Sequence, residues 1–426
     1  MAEATMATSG WQRRYTLIAL CFLAVFICYI DRVNISVAII PMAKEYGWNP
    51  EQQGRVLSAF FVGYILTQFL GGRLADRFGG KLVLGLGVVT WSIFTMVTPI
   101  AAGVGFITLL LARIGMGLGE GFTFPAIYSL IGRWIPAAER SRAVSMNFSG
   151  IPAGTLFALG LTPLIAVQLG WQWVFYIFGS FGLIWFGFWM MKVTSWPHQH
   201  PSISADELQL IRQGTDAEQV VVKLPPLSKL LSNKPLWAII VSHFCNNWAL
   251  YVLLSWMPTY VNKALHVDFA SVGFFTMIPN IASLMFLGVA GWTTDMLIKR
   301  GINRTTIRKL MQSVGFGAVV IALASVGYVH SAIGAIAVMT VGNCIGAFAM
   351  GGYGSNHLDI APRHAGTLMG ITNTAATIPG IIGVYVSGLI LEATGSWILV
   401  FQVAAGVVLF GLVFYVLFAS TEKQFD

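Results

Sequence analysis

Charge is what this chain has least of. Asp, Glu, Lys and Arg make up 10% of its 426 residues, against about a quarter in a soluble globular protein. Histidine is sparse too, seven in all, and only His198 and His200 stand close together, in a proline-rich stretch. The four cysteines, Cys21, Cys28, Cys245 and Cys344, each sit inside an apolar run. These shortages remove whole classes of function. No Cys/His spacing suits zinc, and no metal cluster, catalytic triad or cofactor motif is found, so an enzyme is not expected. Apolar surface is abundant instead: 56% of the residues are hydrophobic, and the mean hydropathy is +0.74. Such a composition would precipitate as a water-soluble fold, so lipid must be part of its solvent.

A bilayer core about 30 Å thick takes about 20 apolar residues per helix. Such stretches lie near 15–40, 54–74, 81–101, 104–131, 143–168 and 172–193. Six more follow near 236–262, 271–294, 308–329, 331–355, 364–391 and 396–419. The expected fold is all-α and integral to a membrane, with twelve transmembrane helices in two six-helix bundles. The bundles are 1–193 and 236–426, joined by a linker over 194–235. Within the linker, Ser204-Ala205-Asp206-Glu207 predicts a capping box opening a short amphipathic helix, with Leu208 and Ile211 on one side. The first stretch is too long for a signal peptide and has no small-residue cleavage site. Only 14 residues precede it, too few for a transit peptide, so a bacterial inner membrane is the expected home.

Positive charge orients the spans. Twenty of the 25 Lys and Arg fall at the two termini, in the even-to-odd loops or in the linker. The opposite face keeps only Lys44, Arg55 and Lys263. That bias puts both termini in the cytoplasm, and it explains the net charge of +8 without any nucleic-acid partner.

The two halves repeat one loop pattern. Gly72-x-x-x-Asp76, followed by Arg77 and Lys81, recurs as Gly291-x-x-x-Asp295, followed by Lys299, Arg300, Arg304 and Arg308, an offset of 219 positions. A second pairing sets Arg140 against Arg363. An Asp at one helix end and Arg residues from a neighbour suit a cytoplasmic latch that holds in one state and breaks in another. Asp76, Arg77, Arg140, Asp295 and Arg304 are the gating candidates.

Four charges lie inside the spans, and each needs a reason, because a charge at mid-depth costs about 2.5–3.5 kcal/mol even on mild scales. Asp31-Arg32 interrupts the first span, and the fourth carries Arg113 and Glu120, seven residues apart. That spacing is nearly two turns, which puts both on one helix face about 10 Å apart along the axis. Two cations and two carboxylates form a balanced set. A small anion arriving there adds negative charge; protonating Asp31 or Glu120 would offset it and free an Arg from its internal partner. The bland alternative is a pair of salt bridges that only lock helices together. The run Gly115-x-Gly117-x-Gly119-x-Gly121 lacks a preceding strand, so it is no phosphate loop; it suits close helix packing. Tyr29, Tyr64, Gln68, Asn246, Tyr251 and Asn373 are among the polar residues that suit a path lining, with Tyr64 and Asn373 foremost.

The Gly72–Lys81 pattern resembles the signature loop of the major facilitator superfamily. The likeness sharpens in Asp31–Ala38, Arg113–Pro125, His243–Trp248, Asn356–Arg363 and Gly370–Thr374, which look like the anion:cation symporter family. That family includes sialic acid, vesicular glutamate, plastid phosphate and ascorbate carriers and bacterial sugar-acid carriers. The resemblance implies that Arg32 holds the substrate anion, that Arg113 and Glu120 are the family's fourth-span pair, and that Tyr64 and Asn373 complete the pocket; Arg113 and Tyr29 join the candidate substrate-binding residues. It also implies that Asp31 and Glu120 carry the coupling proton. Two departures count against vesicular-type glutamate transport: Asn246 stands where those carriers have an Arg, and Leu57 where they have a His. Gly291–Gly315 and Glu422-Lys423 look closest to the plastid phosphate branch.

The expectation is a monomeric symporter without a cofactor, moving a small anion by alternating access. The substrate would be inorganic phosphate or an organic acid such as a sugar acid, another carboxylate or ascorbate. The coupling ion would be H+, with Na+ the alternative. Rival readings are an uncoupled exchanger and an anion receptor that does not transport.

Overall fold

In a computed structural model, residues 11–216, 230, 232–361 and 365–425 are described, and these contain helices and no strand. Ahead of the linker run α1 (Arg13–Tyr46), α2 (Pro50–Phe78), α3 (Gly80–Val104), α4 (Phe106–Glu120), α5 (Thr123–Trp134), α6 (Ala137–Phe148), α7 (Gly150–Leu169) and α8 (Trp171–Lys192). The linker holds α9 (Ala205–Asp216). Beyond it come α10 (Lys234–Lys263), α11 (Phe269–Lys299), α12 (Arg304–Val326), α13 (Ala332–Gly346), α14 (Ser355–Ile360), α15 (Ala365–Thr394) and α16 (Trp397–Phe418). Eleven described spans are long and apolar enough to cross a bilayer, and α2, bent by 49° between Gln68 and Leu70, makes a twelfth. The fourth span, Phe106–Trp134, joins α4 to α5, and the tenth, Ala332–Ile360, joins α13 to α14 through a π-helical turn at Met350–Gly354. The all-α membrane fold expected from hydropathy is therefore the one observed.

Local chemistry explains where the spans start and stop. Gly47, at φ +68°, ends α1 in the left-handed region that glycine adopts cheaply. Two residues later Asn49 opens α2: its Oδ1 accepts from the Gln52 N–H at 2.8 Å, and Gln52 Oε1 accepts from the Asn49 N–H at 3.0 Å. Pro50 fills the first helical position, where a missing N–H costs nothing.

The linker helix forms as expected, but half of its capping box does not. The Glu207 N–H donates to Ser204 Oγ at 3.2 Å, yet the Glu207 carboxylate turns away to accept the N–H groups of Arg13 and Arg14 at 3.0 and 2.9 Å. The unsatisfied N–H groups and positive end of α1 outcompete a single backbone donor. Arg14 in turn donates to Glu139 on α6 at 2.9 and 3.0 Å, so α9, α1 and α6 share one knot. Arg363, paired with Arg140 on sequence grounds, lies outside the described residues.

The glycine run on α4 is a packing device. A Cβ on Gly117 would meet the Phe60 carbonyl oxygen of α2 at 2.0 Å, and one on Gly119 would meet the Trp91 nitrogen of α3 at 2.7 Å. The two backbones therefore close on α4 as no larger residue would allow. Across the halves, a Cβ on Gly388 of α15 would meet the Pro50 oxygen of α2 at 2.6 Å, and one on Gly273 of α11 would meet the Leu159 oxygen of α7 at 2.1 Å. These contacts lie toward the ends of the spans remote from the basic loops.

Gly117→Val should lower the thermal midpoint sharply in detergent. Overpacking costs about 1–3 kcal/mol and more where backbone blocks the new group. Gly132→Ala, whose Cβ would meet nothing within 4 Å, is the control and should be neutral or slightly stabilising. Equal melting curves for the two variants would overturn the packing role.

Candidate functional site

Arg32 of α1 stands at the centre of the buried charges. Its Nη2 and Nε both donate to the same Glu120 oxygen, Oε2, at 2.8 and 3.1 Å. Cys28 Sγ lies 3.1 Å from that oxygen, while Glu120 Oε1 has no hydrogen-bond partner. Three rings enclose the guanidinium, with its carbon 4.7 Å from the Tyr29 centroid, 4.9 Å from Phe60 and 4.8 Å from Tyr64. Nη1 has only a long bond, 3.4 Å, to the Tyr29 hydroxyl. Arg32 is 6% exposed and Glu120 is fully buried. The pair is thus strong, desolvated and held through one oxygen, and Nη1 is the corner with least to lose.

The geometry follows from the helices. Tyr29 and Arg32 share a face of α1 at i,i+3, and Phe60 and Tyr64 share one of α2 at i,i+4. The glycines of α4 let these surfaces approach, which brings Glu120 across to α1.

Arg113 and Glu120 do not pair with each other, although the helix period puts them on one face. Arg113 Nη1 approaches Met116 Sδ at 2.9 Å, its Nε has no partner, and Phe60 lies 5.7 Å away. It remains within electrostatic reach of Glu120 and Asp31. Asp31 is fully buried; its carboxylate faces the Trp91 indole N–H without a well-aligned hydrogen bond, and it makes no ion pair among the described residues. Only one ion pair therefore forms among the four charges, not two.

Asn373 is half-buried on α15, and its side chain makes no hydrogen bond among the described residues. Its own turn reaches the first half through Thr377, whose hydroxyl donates to Gln68 Oε1 at 3.3 Å, one turn beyond Tyr64. Tyr251 of α10 packs on Phe61 at 4.6 Å and lies within electrostatic reach of Arg32. It brings the second half to the site more directly than Asn373 does.

The loop candidates separate. Asp76 accepts from Ser129 Oγ at 2.9 Å and faces Arg133 Nη2 at 3.5 Å, an exposed contact. Arg77 lies over Phe78, and Arg140 donates to the Ile135 and Gly132 carbonyl oxygens. Asp295 and Arg304 are both exposed, and no ion pair joins them among the described residues. One turn past Arg304, Arg308 pairs instead with Asp359 at 2.7 Å and donates to the Gly351 carbonyl oxygen at 2.8 Å. The loop pattern missed this pair because Asp359 comes from a distant helix. A second missed feature is a Thr372 hydroxyl shared by His357 at 2.9 Å and His243 at 3.2 Å. No group of three or more His, Cys, Asp or Glu that could hold a metal occurs among the described residues.

Twelve candidate spans among the described residues, enclosing four buried charges of which Arg32 and Glu120 are paired, define an integral membrane protein. The Major Facilitator Superfamily model matches residues 21–384, and the chain belongs to that superfamily. Among curated relatives, the chain is 42% identical over 419 residues to probable anion transporter 4, chloroplastic, of Oryza sativa subsp. japonica, covering 98% of this chain and 71% of that one. It is 42% identical over 423 residues to the chloroplastic ascorbate transporter of Arabidopsis thaliana, covering 99% and 78%. Human sialin is 36% identical over 445 residues, covering 96% and 90%. The fold resembles an inward-facing bacterial homologue of the human lysosomal transporter Spinster, with a TM-score of 0.75 at 16% identity and 97% of each chain covered. A D-xylose–proton symporter gives 0.74 at 16% identity, covering 96% and 99%. The chain is thus an anion-transporter-family membrane protein and not an enzyme. Its relatives here are plastid and animal proteins, so the expected bacterial inner membrane gains no support from them; a multi-pass membrane protein is what stands.

Arg308→Ala should destabilise the protein by about 3–5 kcal/mol, because it leaves Asp359 buried without its cation. Asp295→Asn and Arg304→Gln, both exposed, should stay within about 0.5 kcal/mol of the parent. Chemical denaturation in detergent would check the ranking, and a reversed order would return the latch role to Asp295 and Arg304.

Proposed function

We propose that this protein is a symporter that moves a small anion, inorganic phosphate or an organic acid, together with H+. The observation that carries this reading is the Arg32–Glu120 pair, made through a single carboxylate oxygen under three aromatic rings. An arriving carboxylate or phosphate offers the guanidinium fork the same kind of oxygen and competes for it directly. Displaced from Arg32, Glu120 is a desolvated anion, and taking up a proton removes that cost. Binding of the anion and uptake of the proton then favour each other, which is what coupling requires. Asp31 is the second proton carrier in this reading and Arg113 the second cation; Tyr29, Tyr64 and Asn373 shape the pocket.

Relatives bearing anion, ascorbate and sialin names support the anion class. A chloroplastic relative from Arabidopsis thaliana named a sodium-dependent phosphate transport protein keeps Na+ as the alternative coupling ion. In this reading, bundles 1–193 and 236–426 rock about the central cavity to give alternating access, with both termini cytoplasmic. Asp76, Arg77 and Arg140 work at the cytoplasmic side, joined by Arg308 and Asp359.

In proteoliposomes, Arg32→Ala should abolish phosphate and organic-anion counterflow while the protein stays inserted and monodisperse. Normal counterflow by that variant would remove Arg32 as the anion site. Glu120→Gln should retain counterflow and lose accumulation driven by a pH gradient. Accumulation that follows an imposed Na+ gradient instead would transfer the coupling role to Na+.

A further inference from the structure

The face remote from the basic loops carries three Lys or Arg residues, and they do not behave alike. Arg55 pairs with Glu51 and lies 5.9 Å from the Tyr385 ring centroid. Lys44 and Lys263 form no ion pair among the described residues, and both are exposed. Both line one cavity of about 690 Å³ between the ends of α1 and α10, together with Asn262, His266, Asp268 and Phe269. The two lysines are 219 positions apart, the offset that relates the repeated loops, so each occupies the equivalent place in its own half. A repeat that sheds cations from this face yet keeps one at the same position in each half, converging on one void, calls for a reason beyond topology.

We propose that this cavity is an outer anion site, an antechamber that collects the phosphate or carboxylate solute before the path to Arg32 opens. This rests on the anion-transport reading and adds a second site to it. Two ammonium groups against one carboxylate, Asp268, leave the cavity walls net positive. Close backbone contacts of α2 with α15 and of α7 with α11 fall toward the same ends of the spans, Gly273 four residues beyond the lining Phe269. An anion held there waits outside a closed seal. Because the lysines are exposed, the site is shallow and works through local concentration and capture rate, both of which salt screens. Free solute and a phospholipid headgroup present the same oxyanion, and the proposal commits to free solute.

The test uses full-length protein in liposomes of phosphatidylcholine alone, with His266→Cys as reporter and Asn262→Cys as a second reporter should the first fold poorly. The four native cysteines are buried, so background labelling is low. Relative to a free thiol, an anionic methanethiosulfonate should label the reporter faster than a cationic one by roughly threefold or more at low salt. That preference should vanish in Lys44→Gln/Lys263→Gln, and inorganic phosphate should slow labelling only when both lysines are present. A preference that survives the double substitution, or labelling indifferent to phosphate, overturns the proposal. So does protection that appears only when anionic lipid is added, which would assign the site to a headgroup. In counterflow from the outer side, the double variant should raise KM roughly threefold or more at low salt, with kcat unchanged and the difference gone at high salt. A fall in kcat without a change in KM would mark the lysines as structural. If the parent transports no anion while the labelling pattern holds, the transport reading falls and the outer site stands.

Discussion

A desolvated ion pair at mid-membrane is the constraint the rest of the structure serves. Removing one partner of such a pair costs about 3–5 kcal/mol, because the other is left charged and dry. Arg32 therefore needs an oxygen ligand in every state, supplied by Glu120 or by something that takes its place. The aromatic cage of Tyr29, Phe60 and Tyr64 softens the requirement without removing it, since ring faces attract a cation but accept no hydrogen bond in the way an oxygen does. That is why one carboxylate oxygen shared by two N–H donors matters: in the proposed mechanism a substrate oxygen takes its place, which changes the charge balance of the whole cluster.

Holding that pair demands close backbones. The glycines of α4 bring its axis within carbonyl contact of α2 and α3, and Glu120 at its end then reaches α1. Between the halves the same device recurs at Gly273 and Gly388, where carbonyl oxygens stand in the space a side chain would fill. Glycine contacts present smooth backbone surfaces with few interdigitated side chains, a suitable boundary for elements that must move past each other.

At the basic-loop side the ties are ionic and local. Glu207 caps α1 and Arg14 crosses to Glu139, while Arg308 holds Asp359 beside the π-helical turn at Met350–Gly354. Each tie joins elements within one half of the chain or fastens the linker to it. The second loop motif contains Arg308 but not its partner Asp359, so the motif shows the cation and only the packing shows the tie.

Hydropathy and charge bias were enough to read twelve spans, the membrane setting and the four buried charges, because lipid imposes a length on every helix and a penalty on every ion. The 3.6-residue period grouped Arg113 with Glu120, but it carries no information on which neighbouring helix comes closest. Tertiary packing therefore decided that Glu120 serves Arg32 and that Asp31 faces the Trp91 indole rather than a cation of its own. In the same way, Asp359 rather than Asp295 meets the cation at the foot of α12, because partner choice between helices depends on approach distance and not on spacing along one chain segment. What a single helix must satisfy by itself is written in its sequence; what two helices satisfy together exists only once they touch.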